Sequence, residues 1–305
     1  MAVPHPQATF LIIGAAKAGT SSFWHLLGQH PEVFLSPRKE VHFFSFDHNY
    51  SQGPDWYHRW FEHCASESQR GECSTTYALS GVFPDAATRI AAYNPDLKII
   101  YMVRDPMRRI PSAWQQLRRF GPCPQIRING LRSVPDSMWV DNSFDRALRE
   151  QSDALLSSSN YLKELEAYRA LFPDEQIQVI LFEDFVREPM TTLRRTFRFL
   201  DVDPDVPLLE QEAHINAYGA SRMPRPTLRR FWADERRRRW CGTIGDMFPW
   251  RLRHLVSRYC MRIPMEARPQ WSEESRRYVL ERIGEDSRRF LETYAEGRDL
   301  WDLDP

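Results

Sequence analysis

The stretch from Phe10 to Ser22 reads F-L-I-I-G-A-A-K-A-G-T-S-S, and it narrows the possible folds more than any other part of the chain. An apolar run, Phe10 to Ile13, stops at Gly14. A turn of small residues follows with one lysine in it, and Thr20-Ser21-Ser22 opens an amphipathic segment. This order spells strand, tight loop and helix N-terminus, in which backbone N–H groups and the helix dipole hold a phosphate. Gly14 and Gly19 fit the nucleoside-triphosphate loop G-x-x-x-x-G-K-[ST], but Thr20 stands where that loop has its lysine, and Lys17 lies inside the turn. The loop is suited to a phosphate without being a standard ATP or GTP loop.

The 305 residues bury a substantial core. The chain carries 41 basic and 41 acidic residues, so its formal net charge is zero and a general nucleic-acid-coating role is not indicated. Cys64, Cys73, Cys123, Cys241 and Cys260 are scattered, without C-x-x-C or His/Cys metal spacing, which reads as reduced thiols and a cytoplasmic location. No signal peptide or membrane span is read in the sequence, the first apolar run being only strand-length. The 10 tryptophans and 18 phenylalanines imply an aromatic core, with some rings available to line a pocket.

Short apolar runs alternate with helical patterns. Strands are expected at Phe10–Ile13, Arg70–Ser74, Lys98–Val103 and Gln176–Phe182, with helices between them and a last helix near Ser272–Ala295. Pro31–Phe44 reads as mainly extended, and Gly121–Asn142 as a long loop rich in Pro and Gly. The fold class is α/β: a P-loop-like parallel β-sheet flanked by helices, in a single domain. Its core spans about residues 9–205 and its C-terminal part, about 206–305, is mainly helical. Ligands in such sheets bind at the carboxyl ends of the strands.

Two further groups point to that end of the sheet. Val103-Arg104-Asp105-Pro106 closes a buried strand, and Ser112 lies eight residues after Arg104, about two helical turns on, so both approach one anion from the same side. Glu40 and His42 are two apart, and in an extended segment their side chains share a face, one to take a proton and the other to orient it. The plainer reading is a surface glutamate and a core histidine on an edge strand. Beside Phe43 and Phe44 in a closed site, the Glu40 carboxyl is expected to have a raised pKa.

Taken together, these motifs resemble the sulfotransferases that use 3′-phosphoadenylyl sulfate (PAPS), in the branch that includes heparan sulfate enzymes and bacterial relatives. Gly14 to Ser21 looks like that family's 5′-phosphosulfate loop, Val103-Arg104-Asp105-Pro106 through Ser112 like its 3′-phosphate site, and Lys39-Glu40-Val41-His42-Phe43-Phe44 like the segment supplying the catalytic base. Tyr50-x-x-Gly53-x-x-Trp56-Tyr57 follows at the family's spacing, and the likeness runs from about residue 9 to 300. It implies sulfuryl transfer from PAPS to an acceptor hydroxyl of a small metabolite or carbohydrate, leaving 3′,5′-ADP (PAP), without a metal. By this resemblance Ala16, Lys17, Ala18, Gly19, Thr20, Ser21 and Ser22 hold the phosphosulfate, and Lys17 neutralises the leaving oxygen. Arg104 and Ser112 bind the 3′-phosphate, aided by Ser221 and Arg222 from a late loop. Glu40 is the base and His42 its support; the aryl and steroid branch uses a histidine as base, which inverts the assignment.

Glu72-Cys73-Ser74 stands where the family often has Glu-Lys-Ser, so Cys73 replaces a lysine near the acceptor. Asp47, His48, Trp56 and Trp60 either line an acceptor cleft or belong to the core. Arg229, Arg230 and Arg236–Arg239 read as a solvated helix face or, more sharply, as a surface for an anionic partner. Two other functions remain open: a P-loop nucleotide-dependent kinase, and a PAP-binding module without turnover.

Overall fold

The computed structural model describes residues 7–120, 140–141, 143–150, 155–209, 222–224, 262–264 and 268–304; the Gly121–Asn142 loop, Ser221 and the Arg229–Arg239 run lie wholly or mainly outside them. Five strands make a parallel sheet: β1 (Phe10–Gly14), β2 (Val33–Leu35), β3 (Gln69–Cys73), β4 (Lys98–Val103) and β5 (Ile177–Leu181). Their spatial order is β2-β3-β1-β4-β5. From β1 the chain runs to the edge strand β2, returns to β3 between them, and then crosses to the other side of β1 for β4 and β5, so the order reverses between β1 and β4. That switch point opens a crevice at the carboxyl ends of these two strands, where ligands of open α/β sheets bind.

The central strands are apolar along their whole length because helices cover both faces. Every residue of β1 is buried, as are Ile99 to Val103 of β4. At Gly71 on β3, an added Cβ would come within 2.2 Å of the Phe10 ring, so only glycine lets β3 lie against β1.

The helices are α1 (Thr20–Leu27), α2 (Asp47–Tyr50), α3 (Pro54–His58), α4 (Ala86–Tyr93), α5 (Pro106–Phe120), α6 (Phe144–Glu150), α7 (Tyr161–Arg169), α8 (Phe182–Arg187), α9 (Pro189–Phe199) and α10 (Glu273–Tyr294). Pro189 opens α9, its fixed φ suited to a first helical position where no N–H is needed. Ser272 caps α10 by accepting the Ser275 N–H at 3.2 Å, with Glu273 and Glu274 in the first turn beside the dipole's positive end. Helix α10 packs on α7, where Tyr161, Phe290 and Trp301 form one aromatic contact.

One expectation changes. Pro31–Phe44 contains a strand only at Val33–Leu35, because Glu40 and His42 take left-handed φ values of 65° and 57°, which no strand accommodates. The C-terminal part holds, besides α10, an antiparallel pair, β6 (Arg222–Pro224) with β7 (Arg262–Pro264).

Candidate active site

Gly19 joins the first strand to the first helix. Its φ of 86° belongs to the left-handed region, and an added Cβ would lie 2.6 Å from the Phe182 ring, so the turn requires glycine on both counts. From there α1 starts at Thr20, with the Ser22 and Phe23 amides both turned to the Gly19 carbonyl at 3.1 Å, which sets the helix N-terminus at the end of the loop. Two arginines fix the loop from its carbonyl side. Arg104 Nη1 donates to the Lys17 carbonyl at 3.3 Å, and the fully buried Arg109 donates to the Ala16 carbonyl at 3.3 Å.

Ala16, Lys17, Gly19, Thr20, Ser21, Ser22, Glu40, Arg104 and Ser112 line one cleft above the switch point. Most of the residues expected from three distant sequence motifs therefore meet in one place. Ala18 is buried within the loop, and His42 sits just behind Glu40. Arg222 lies on β6, which packs near α5; its backbone alone is described.

The cleft is cationic at one end. The Arg104 guanidinium lies 4.3 Å from the Phe182 ring centroid, and its buried Nε has no hydrogen-bond partner. Burial, followed by the neighbouring Arg268, pulls the Arg104 pKa below its ordinary value. Two guanidiniums that repel each other, one with an orphaned donor, suit an anionic group bound between them.

At the other end stands Glu40. Its Oε2 accepts the Thr75 N–H at 3.0 Å, the Thr75 hydroxyl lies 3.3 Å from each carboxylate oxygen, and Lys39 Nζ donates to Oε1 at 3.1 Å. Burial pushes this carboxyl up, yet Lys39, His42 and the Thr75 amide together hold it below its ordinary range. The raised value expected from its apolar neighbours is thus overturned by those partners. His42 Nε2 is 3.7 Å from Glu40 Oε2, and Nδ1 is 2.8 Å from Thr76 Oγ1. Burial lowers the His42 pKa to about 4, even with Glu40 raising it, so the ring is neutral near pH 7. Lys39 is then the cation that balances Glu40.

Beneath this pair, Glu72 is fully buried and accepts hydrogen bonds from Tyr77 at 2.5 Å and Ser74 at 2.7 Å. Burial raises its pKa to about 7. Cys73 is fully buried, its thiol pushed up to about 12 by burial, which leaves it protonated. Trp56 and Trp60 pack partly buried against the core. His48 is exposed, as is Asp47, which pairs with Arg89.

Several lining residues were not anticipated as site residues: Lys39, Thr75, Gln116, Phe182, Phe185 and Arg268. In an extended strand Lys39 would point away from Glu40; the left-handed turn at Glu40 brings the two together. Thr75 and Phe182 follow β3 and β5 at the carboxyl edge, where the parallel topology alone is a signal. Arg268 carries none, arriving from far along the chain. Among the described residues, no three His, Cys, Asp or Glu side chains are grouped to hold a metal ion, and no helix is long and apolar enough to cross a membrane.

Comparison with known proteins agrees with this geometry. A crystal structure of a sulfotransferase from Alicyclobacillus acidocaldarius superposes with a TM-score of 0.53 and 28% identity, covering 82% of this chain and 99% of that one. The heparan sulfate glucosamine 3-O-sulfotransferase 5 of Homo sapiens is 28% identical over 199 residues, 64% of this chain and 54% of that protein. The bifunctional heparan sulfate N-deacetylase/N-sulfotransferase of Drosophila melanogaster is 28% identical over 224 residues, 68% of this chain and 20% of that protein. The chain thus spans about half of the first relative and a fifth of the second. The sulfotransferase domain family matches residues 7–218, more than half of the sequence and all of the five-stranded sheet, and the chain belongs to that family.

Proposed function

We propose that this chain transfers a sulfuryl group from PAPS to a carbohydrate hydroxyl. The observation that carries this reading is the convergence in one cleft of the Lys17 loop, the Arg104–Ser112 wall and the Glu40 carboxylate. The orphaned Arg104 Nε and the Arg104–Arg268 repulsion favour the donor's 3′-phosphate at that end, with Ser112 and Arg222 as further ligands. Ala16, Ala18, Gly19, Thr20, Ser21 and Ser22 then surround the 5′-phosphosulfate at the helix N-terminus. Carbohydrate as the acceptor class rests on the glucosamine enzymes among the relatives.

In the proposed reaction Glu40 takes the acceptor hydroxyl proton as the acceptor oxygen attacks sulfur. The bond from sulfur to the bridging phosphate oxygen breaks in line, and PAP leaves with its new charge on that oxygen. Lys17 stabilises this charge, as electrostatic positioning does in the related phosphoryl transfers. His42, neutral and held by Thr76, orients the site beside Glu40. A kinase reading is disfavoured by Thr20 in the place of the loop lysine.

Incubation with PAPS and a panel of oligosaccharides, read by mass spectrometry, should give a sulfuryl mass gain and PAP. Calorimetry should show Arg104→Ala weakening PAP binding about tenfold or more beyond any loss for 5′-AMP, which reports the loop that Arg104 also holds. Equal losses for both nucleotides would remove the 3′-phosphate role.

A further inference from the structure

Lys39 touches both halves of the cleft. Its ammonium is 3.1 Å from Glu40 Oε1 and 3.2 Å from Thr20 Oγ1, the first residue of α1 in the phosphate loop. The side chain is 22% exposed and Glu40 16% exposed, so the pair is largely shielded from solvent. We propose that Lys39 is a shared counter-ion: it pairs with Glu40 in the free protein and is drawn to the donor's anionic group on binding, releasing the carboxylate to accept the acceptor proton. This rests on the PAPS reading of the cleft and adds to it a coupling between donor occupancy and the base.

The surroundings leave few other candidates for this role. On its own segment Glu40 faces Lys39 and His42, with Arg38 and the α2 residue His48 acting on the histidine. From the β3 side it faces Thr75, Cys73 and Glu72. Lys17, Arg104 and Arg268 stand on the other walls of the cleft. His42 and Cys73 are neutral near pH 7, and Glu72 carries no positive charge in either of its states. Among the described residues, Lys39 is therefore the cation in direct contact with the base. A phosphosulfate beside Thr20 competes with Glu40 for that ammonium, and a carboxylate losing a close cation in a shielded site becomes a stronger base.

The test follows the Glu40 carboxyl by ¹³C NMR in glutamate-labelled protein, its signal assigned by its loss in Glu40→Gln. In the wild type, saturating PAP should raise the Glu40 titration midpoint by about one pH unit or more. In Lys39→Met the midpoint should already be raised in the free protein and move little with PAP, while Lys39→Arg should restore the wild-type response. Lys39→Gln, isolated in parallel, serves if the Met variant does not fold. A Glu40 midpoint that is the same in wild type and the neutral variants, or that ignores PAP, would overturn the proposal. Calorimetry with PAP on the same samples separates the two readings. Absence of PAP binding refutes the donor assignment itself, whereas PAP binding with an unmoved Glu40 refutes only the role of Lys39.

Discussion

Lys17, Glu40 and His42 have φ values of 71°, 65° and 57°, a region that side-chain-bearing residues occupy at a cost and that is enriched at functional sites. At Glu40 this conformation turns Lys39 and the carboxylate onto the same side. Lys17 and Arg104 were anticipated from a strand end followed by a turn, and Glu40 and His42 from a spacing that presumed an extended segment, which their left-handed φ values replace. Lys39 was not, because alternation presumes extended backbone and two of the next three residues leave it. Glu40→Gln keeps the size of the side chain and removes its basicity. It should lower kcat by about 10²- to 10⁴-fold without weakening PAP binding. Transfer assays and calorimetry check the two halves, and an unchanged kcat would end the assignment of Glu40 as base.

Among the elements, β4 was legible to the residue, Lys98–Val103, because a buried parallel strand is a continuous apolar run. What periodicity does not reveal is how elements hold one another. Asp286 of α10 accepts the N–H groups of Leu162 and Lys163 at 3.1 Å each, so a distant helix satisfies the open amides at the start of α7. The adjoining Tyr161 donates to the Arg104 carbonyl at 2.6 Å, which ties that joint to the cleft. Asp286→Ala should therefore cost about 1–2 kcal/mol of stability. Urea unfolding should show it, and a midpoint equal to wild type would mean the α7 amides find other partners.

For the molecule as a whole, the parallel sheet and a site at the carboxyl ends of its strands followed from alternating strands and helices, whereas the order of the strands and the approach of Arg268 to Arg104 depend on long-range packing that no local pattern encodes. The buried, neutral His42 also links the site to global stability. Its folded pKa, about 4, lies below the unfolded value of about 6.5, so between them the unfolded chain binds more protons. Its contribution is therefore complete above about pH 6.5 and is lost progressively as pH falls towards 4. Unfolding midpoints measured across that window should decline, and should decline less in His42→Gln; identical slopes would show that other groups govern the acid limb.

The left-handed backbone at positions 17, 40 and 42 has an evolutionary consequence. Glycine or asparagine would occupy each of these positions with less strain, so relaxation of the chain and retention of its chemistry pull in opposite directions there. A lineage or a laboratory library selected for heat resistance alone would drift towards those replacements, shedding the lysine, the carboxylate and the imidazole while the sheet beneath them stayed intact.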